Sequence, residues 1–277
     1  MAAVGLVPGA SGALDLPVRW SSCSGTRRRW APPMIPPSAT VLARVLLKPD
    51  IPLSSGWGRL SCVTYLSLEP HTMSLVFHYS PMSSAVTTHW VLEELGVPYD
   101  KVKLDLAAGD SRKPAHLALN PNGKVPVIVH DGTAIFESAA ISIYLGETFG
   151  ASRGLFPEAG PRRGQAMQWI VWANVSLGEA FSRVQHNSSP QIPAERHNAK
   201  ALEAAREDVA KLLKVLDGAL AGKPYLLGDA FSIPDAHVAS WTGFLSMRGV
   251  DLSPYPNVAA WTARCTERPA FKTSMMP

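Results

Sequence analysis

The stretch from residue 120 to residue 149 constrains this chain most. Asn120-Pro121-Asn122-Gly123 is a strong loop signal, since proline and asparagine-glycine pairs favour turns over helices and ladders. Two short apolar runs follow, residues 125–130 and 133–136, separated by Asp131-Gly132. That dipeptide supplies the positive φ angles of a type I′ turn, so the two runs are predicted to pair as a hairpin. Residues 138–149 then read as an amphipathic helix.

Upstream, residues 75–79 predict a strand, broken at Ser80-Pro81. Ser83 or Ser84 can cap a helix that runs to Leu95, with Trp90, Val91, Leu92 and Leu95 at helical spacing. Residues 99–106 alternate, Val102, Leu104 and Leu106 opposing Lys101, Lys103 and Asp105, as in a half-buried strand. A short helix over 114–119 completes the order β-α-β-α-β-β-α, a thioredoxin-type α/β domain over residues 73–152. After a Gly- and Pro-rich linker at 153–160, the pattern is all-helical over 161–277. Residues 162–185 and 194–220 predict two long helices, the second striped by Leu202, Val209, Leu213, Leu216 and Leu220. Ser232 with Asp235 three residues on predicts a capping box, with Pro234 tolerated in the first turn.

Residues 1–72 are of another kind. Nine prolines interrupt every stretch that could become a long helix. Seven basic and three acidic side chains there account for the whole formal net charge of +4, and the remainder is balanced. The segment is expected to be largely disordered. It is open to three readings: translated sequence upstream of a true start at Met73, a targeting peptide that is Arg- and Ser-rich and poor in acids, or a functional arm. A neutral body carries no electrostatic footprint for nucleic acid. No uninterrupted apolar run is long enough to span a membrane. Cys23, Cys62 and Cys265 form neither a CxxC pair nor a zinc-ligand spacing, and no metal constellation is expected among the scattered histidines.

Three motifs carry a resemblance. Leu119-Asn120-Pro121-Asn122-Gly123-Lys124-Val125-Pro126-Val127 resembles the NPxG[KQ]VP segment of glutathione transferases. Phe136-Glu137-Ser138-Ala139-Ala140-Ile141-Ser142-Ile143-Tyr144-Leu145 resembles their ESxAIxxYL segment, and Gly228–Asp235 their N-capping box in the helical domain. Together they imply the glutathione transferase fold over residues 73–277 and resemble the bacterial beta and serine-type classes. The resemblance implies a cis Val125–Pro126 bond that turns the backbone of Val125 outward, to pair with the cysteinyl unit of glutathione as an added strand would. Glu137 and Ser138, at a strand-to-helix junction, would read the γ-glutamyl head group: free N–H groups and the Ser138 hydroxyl for the carboxylate, Glu137 for the ammonium. Without the motifs around them, Ser138 reads as an N-cap and Glu137 as a solvated turn residue. Lys124 would reach the glycine carboxylate, or stand as a surface lysine.

The resemblance further implies an enzyme that stabilises the glutathione thiolate and conjugates it to electrophilic small molecules, a detoxification chemistry. Glutathione is then a co-substrate and no resident cofactor is called for. The candidates for the activating hydroxyl are Ser84, Ser83 and Tyr79; Ser84 falls where the beta class has its cysteine. The absence of cysteine between Met73 and Arg264 disfavours disulfide exchange through an enzyme thiol. Trp169, Trp172 and Phe181 are candidates for the acceptor pocket, or core aromatics of the bundle. Gly178 stands where beta-class relatives have histidine, a departure from that class. A homodimer and a cytoplasmic location follow from the resemblance alone. The alternative function is a non-catalytic transferase-like module for binding or assembly.

Overall fold

A computed structural model describes residues 73–276; the expectations for residues 1–72 lie outside the described residues. β1 (Leu75–Tyr79) is followed by α1 (Ala85–Leu95), β2 (Asp100–Lys103), the single-turn α2 (Pro114–Leu117), β3 (Val127–His130), β4 (Thr133–Phe136) and α3 (Ser138–Leu145). The sheet order is β2-β1-β3-β4, with β1 parallel to β2 and antiparallel to β3, and β3–β4 forming the hairpin around Asp131-Gly132. This is the thioredoxin-like arrangement expected. Leu75, Phe77 and Tyr79 alternate onto the buried face of β1, against Trp90, Val91 and Leu92 of α1.

Strand β2 departs from the expected half-buried pattern. It is shorter than residues 99–106, and all four of its residues are exposed. As a sheet edge that no element among the described residues covers, β2 leaves Val102 and Leu106 open at 41% and 42% exposure, while Leu104 turns inward. Alternation in the sequence marks which side chains share a face. It does not say whether a neighbour covers that face.

The helical part contains α4 (Pro161–Trp172), α5 (Glu179–Ser188), α6 (Ala199–Leu220), α7 (Ile233–Met247), α8 (Pro256–Thr266) and α9 (Pro269–Ser274). The long helix expected over 162–185 is broken by a π-helical turn at Ala173–Gly178, and a second such turn at Gly146–Gly150 ends α3 early. Wide turns of this kind redirect side chains within an otherwise regular helix. Ile170, Leu177, Phe181, Leu213, Leu216 and Trp261 are fully or almost fully buried in the core. Among the described residues no helix is long and apolar enough to cross a membrane, and no cluster of three or more His, Cys, Asp or Glu could hold a metal ion.

The two parts are clasped at Glu94 of α1. Its carboxylate is only 5% exposed and accepts from Arg268 Nε at 2.6 Å, Arg268 Nη2 at 2.7 Å and Trp90 Nε1 at 2.9 Å. The same guanidinium lies 3.8 Å from the ring centroid of Phe231. A planar fork on a carboxylate, with its face on an aromatic ring, is a geometry lysine cannot reproduce. Replacing Arg268 with alanine leaves a buried carboxylate without its counter-charge. Since Arg268 is itself 32% exposed, Arg268→Ala is expected to destabilise the fold by about 2 kcal/mol, below the range for a fully buried pair. Arg268→Lys should recover only part of this, as read from urea-unfolding midpoints.

Candidate functional site

The loop before β3 is assembled from its own side chains. Asn120 Nδ2 donates to the Lys124 carbonyl at 2.8 Å, His116 Nε2 lies 3.0 Å from the same oxygen, and Asn122 N–H donates to Asn120 Oδ1. Gly123 has φ +61, and a Cβ there would lie 2.8 Å from Arg112 Nη1 and 3.0 Å from the Ser111 carbonyl, so the turn requires glycine. These bonds fix the backbone that leads into Val125. The Val125–Pro126 peptide is cis. The Val125 N–H makes no hydrogen bond among the described residues, and its carbonyl accepts one long bond, from Ser84 Oγ at 3.3 Å. The Lys124 side chain extends into solvent.

The three candidate hydroxyls have different surroundings. Ser83 Oγ donates to the Ser80 carbonyl at 2.7 Å and accepts from the Ala85 N–H at 3.2 Å, so it is committed to holding the start of α1. Ser84 makes no capping bond; it faces Val125. The ring of Tyr79 stacks on Phe77 at 5.3 Å and tilts against His89 at 5.8 Å, on the core face of β1. Thus Ser84 and Val125 are brought together, and Tyr79 takes no part in the bonds that join them.

At the other end of the β4–α3 junction, Glu137 has φ +70 and ψ 116, rare values for a residue with a side chain. Such strain, of order 1–3 kcal/mol, persists where the surroundings over-determine the backbone, and it concentrates at functional sites. The Glu137 side chain is exposed, and Ser138 is buried at 5% exposure. Ser138 Oγ accepts from Asn174 Nδ2 at 2.9 Å. Asn174 Oδ1 in turn receives Trp241 Nε1 at 3.1 Å and faces His237 Nε2 at 2.9 Å, while His237 Nδ1 lies 2.9 Å from Ser142 Oγ.

A cavity of about 490 Å³ opens beside Ser84. Its wall is mainly apolar, from Met82, Trp241, Phe244, Met247 and Phe271, with no charged residue in the lining among the described residues. Trp169, Trp172 and Phe181 are not part of this wall. Trp169 and Trp172 pack edge-to-face on each other at 5.2 Å, and Phe181 stands behind Phe244 at 5.6 Å, buried in the core.

The family model described as glutathione S-transferase, N-terminal domain, matches residues 74–147, and that for the C-terminal domain matches residues 181–269. Glutathione S-transferase GstB of Escherichia coli (strain K12) is 33% identical over 187 residues, covering 67% of this chain and 89% of that protein. The chain belongs to the glutathione S-transferase family. The disulfide-bond oxidoreductase YfcG of the same organism is 32% identical over 215 residues, covering 74% of this chain and 94% of that protein. Among solved structures, a glutathione transferase of Burkholderia graminis with two glutathione molecules bound per subunit is 27% identical, with a TM-score of 0.66 over 73% of this chain and 87% of that one.

Within this family frame, the glycine at 178 has a structural counterpart. A Cβ on Gly178 would lie 2.8 Å from the Cη2 and Cζ2 atoms of Trp241, so the indole fills the space over the π-turn that a side chain would need. The sequence did not mark Asn174, Ser142, His237 or Trp241 as site residues. The one signal was Asn174 itself, a polar residue of low helix propensity inside an apolar helical run.

His237 is fully buried, and burial pushes its pKa down from 6.5 to about 3. A folded-state pKa below the unfolded one means that unfolding takes up a proton between those values. The associated stability is therefore complete above pH ~6.5 and is lost as pH falls towards 3. His237→Gln is expected to flatten the acid limb of the stability–pH curve by about 1.4 kcal/mol per pH unit in that window, measured by urea unfolding at a series of pH values.

Proposed function

We propose that this chain binds glutathione along Val125 and the start of α3, holds its sulfur beside Ser84, and conjugates it to neutral electrophiles seated in the apolar cavity. The observation that carries this is the meeting of three features at one point: the Val125 peptide, whose carbonyl holds only one long bond, the Ser84 hydroxyl that donates that bond at 3.3 Å, and the cavity that Ser84 lines. The bound glutathione of the Burkholderia relative supports the choice of peptide.

The cysteinyl unit would exchange both backbone bonds with Val125. Its N–H takes the Val125 carbonyl and displaces the long bond from Ser84, whose hydrogen then turns to the sulfur. A hydroxyl hydrogen on sulfur favours the anion over the thiol. A free thiol with pKa of about 8.5 is mostly protonated at neutral pH, and each unit of depression corresponds to about 1.36 kcal/mol. The N–H groups at the start of α1 act in the same sense. With a halo-aromatic acceptor, the thiolate forms the S–C bond, halide leaves with the bonding pair, and the thiol proton has already gone to water. At the far end, Ser138 and the first N–H groups of α3 take the γ-glutamyl carboxylate, Glu137 takes the ammonium, and Lys124 is within the loop that would meet the glycine carboxylate.

The relative YfcG is a disulfide-bond oxidoreductase. Cys265, the one cysteine among the described residues, is buried at 0% exposure with its thiol pKa pushed up by burial. Among the described residues, the proposed site therefore has no thiol of its own for disulfide chemistry. Val171 and Val175, exposed at 44% and 68% and one turn apart, offer an apolar contact for the homodimer that the family resemblance implies.

Calorimetry with glutathione, followed by turnover of halo-aromatic, epoxide and peroxide substrates, tests the proposal. Binding with conjugation of a halo-aromatic is expected. No binding would overturn it, and binding without turnover of any substrate would leave a glutathione-binding module. Glu137→Ala is expected to weaken glutathione by roughly 1–3 kcal/mol with little change in thermal stability. Ser84→Ala should raise the pKa of the bound thiol and slow conjugation at neutral pH, with the deficit shrinking as pH rises and affinity nearly unchanged. An unshifted thiolate absorbance titration would assign the stabilisation to the α1 N–H groups instead.

A further inference from the structure

We infer that Asn174, from the helical part, is a positioning residue that aims the Ser138 hydroxyl at the γ-glutamyl carboxylate of glutathione. The inference rests on the glutathione site proposed above and adds a residue that does not itself touch the ligand.

A serine hydroxyl has one hydrogen to give and lone pairs to receive. Asn174 Nδ2 donates to Ser138 Oγ at 2.9 Å. With Asn174 supplying the donor, the hydrogen of Ser138 is left for an acceptor, and an ionised carboxylate is acceptor-only. Were the Asn174 amide turned over, its oxygen would draw that hydrogen inward, and Ser138 would meet the carboxylate with lone pairs.

The amide is held in its working orientation by two donors. Trp241 Nε1 can only donate, and it lies 3.1 Å from Oδ1, so the atom there is the oxygen. His237 Nε2 lies 2.9 Å from the same oxygen. Burial holds the ring neutral, so with an acceptor at Nε2 the proton sits on Nε2, and Nδ1 accepts from the Ser142 hydroxyl at 2.9 Å. Every group in this chain has one consistent assignment: Ser142 donates to His237, His237 and Trp241 donate to Asn174, Asn174 donates to Ser138, and Ser138 donates to the ligand. Asn174 lies in the π-turn Ala173–Gly178, and its amide reaches the start of α3. Gly178 in the same turn clears the space for the Trp241 ring.

The test is a double-mutant cycle read by calorimetry with two peptides. One is glutathione, and the other is γ-aminobutyryl-cysteinyl-glycine, which lacks the α-carboxylate. Asn174→Ala is expected to weaken glutathione about tenfold, the low end for a hydrogen bond to a charged group. It should bind the decarboxylated peptide as the wild type does. Ser138→Ala should weaken glutathione at least as much, and adding Asn174→Ala to it should cause no further loss, because the asparagine acts only through that hydroxyl. In turnover, KM for glutathione should rise with kcat at saturating glutathione unchanged. If Asn174→Ala does not fold, Asn174→Asp keeps an oxygen for Trp241 and His237 and presents a second oxygen to Ser138. It should show the same loss for glutathione. Wild-type affinity in either folded variant, equal losses for both peptides, or additive losses in the cycle would overturn the inference while leaving the glutathione site standing. Failure of the wild-type protein to bind glutathione would overturn both.

Discussion

The buried carboxylate of Asp235 fixes the helix on which the two parts of this molecule are joined. Its Oδ1 accepts from the Leu226 N–H at 2.8 Å and Trp261 Nε1 at 3.0 Å, and its Oδ2 from the Ser232 N–H at 3.0 Å and Ser232 Oγ at 2.7 Å. Four donors satisfy all the lone-pair directions of a group that burial would otherwise make unfavourable to charge. One carboxylate thereby ties the preceding loop, the start of α7 and the face of α8 to each other. The orientation of α7 follows, and so does everything α7 presents.

Helix α7 presents a seam of polar groups to the thioredoxin-like part and to the π-turn at Ala173–Gly178. His237 meets Ser142 of α3 and Asn174 of the π-turn, Ser240 Oγ lies 2.6 Å from Thr87 Oγ1 of α1, and Trp241 reaches Asn174. Apolar burial alone would let α7 slide along α1 with little change in area. Satisfied polar pairs resist that, because any slip leaves buried donors and acceptors unpaired. The seam therefore sets register, whereas the aromatic and aliphatic core around Trp90, Ile170 and Trp261 supplies the bulk of the burial. Register matters here because the start of α3 and the start of α1 both border the proposed site.

The features legible in the sequence were those fixed by backbone chemistry over a few residues. The Asp131-Gly132 hairpin, the loop that needs Gly123, the capping box at Ser232 and Asp235, and the order of strands and helices all follow from local rules. Tertiary cover was not legible. Trp169, Trp172 and Phe181 carry the right chemistry for an acceptor pocket, but periodicity cannot tell a wall that faces a cavity from one that faces another helix. The open face of β2 escaped for the same reason. The two π-turns were invisible because a single wide turn barely disturbs the helical spacing of apolar residues, although Asn174, which bonds to Ser138, lies in one of them.

Gly178 shows how one small residue redistributes the space between the two parts. A side chain at this point of the helix would meet the Trp241 ring, so the indole and a larger residue at 178 exclude each other. With glycine, the indole lies down over the π-turn and its N–H reaches Asn174. Its outer surface then becomes cavity wall, and the space beside Ser84 extends along α7 towards Phe244 and Met247 rather than towards the helix carrying Trp169 and Trp172. Gly178, which read in the sequence as a departure from the beta-class pattern, is in the structure the residue that makes room for the Trp241 ring. The described wall there consists of sulfur, indole and phenyl faces without a charged group, a surface that suits flat apolar contacts.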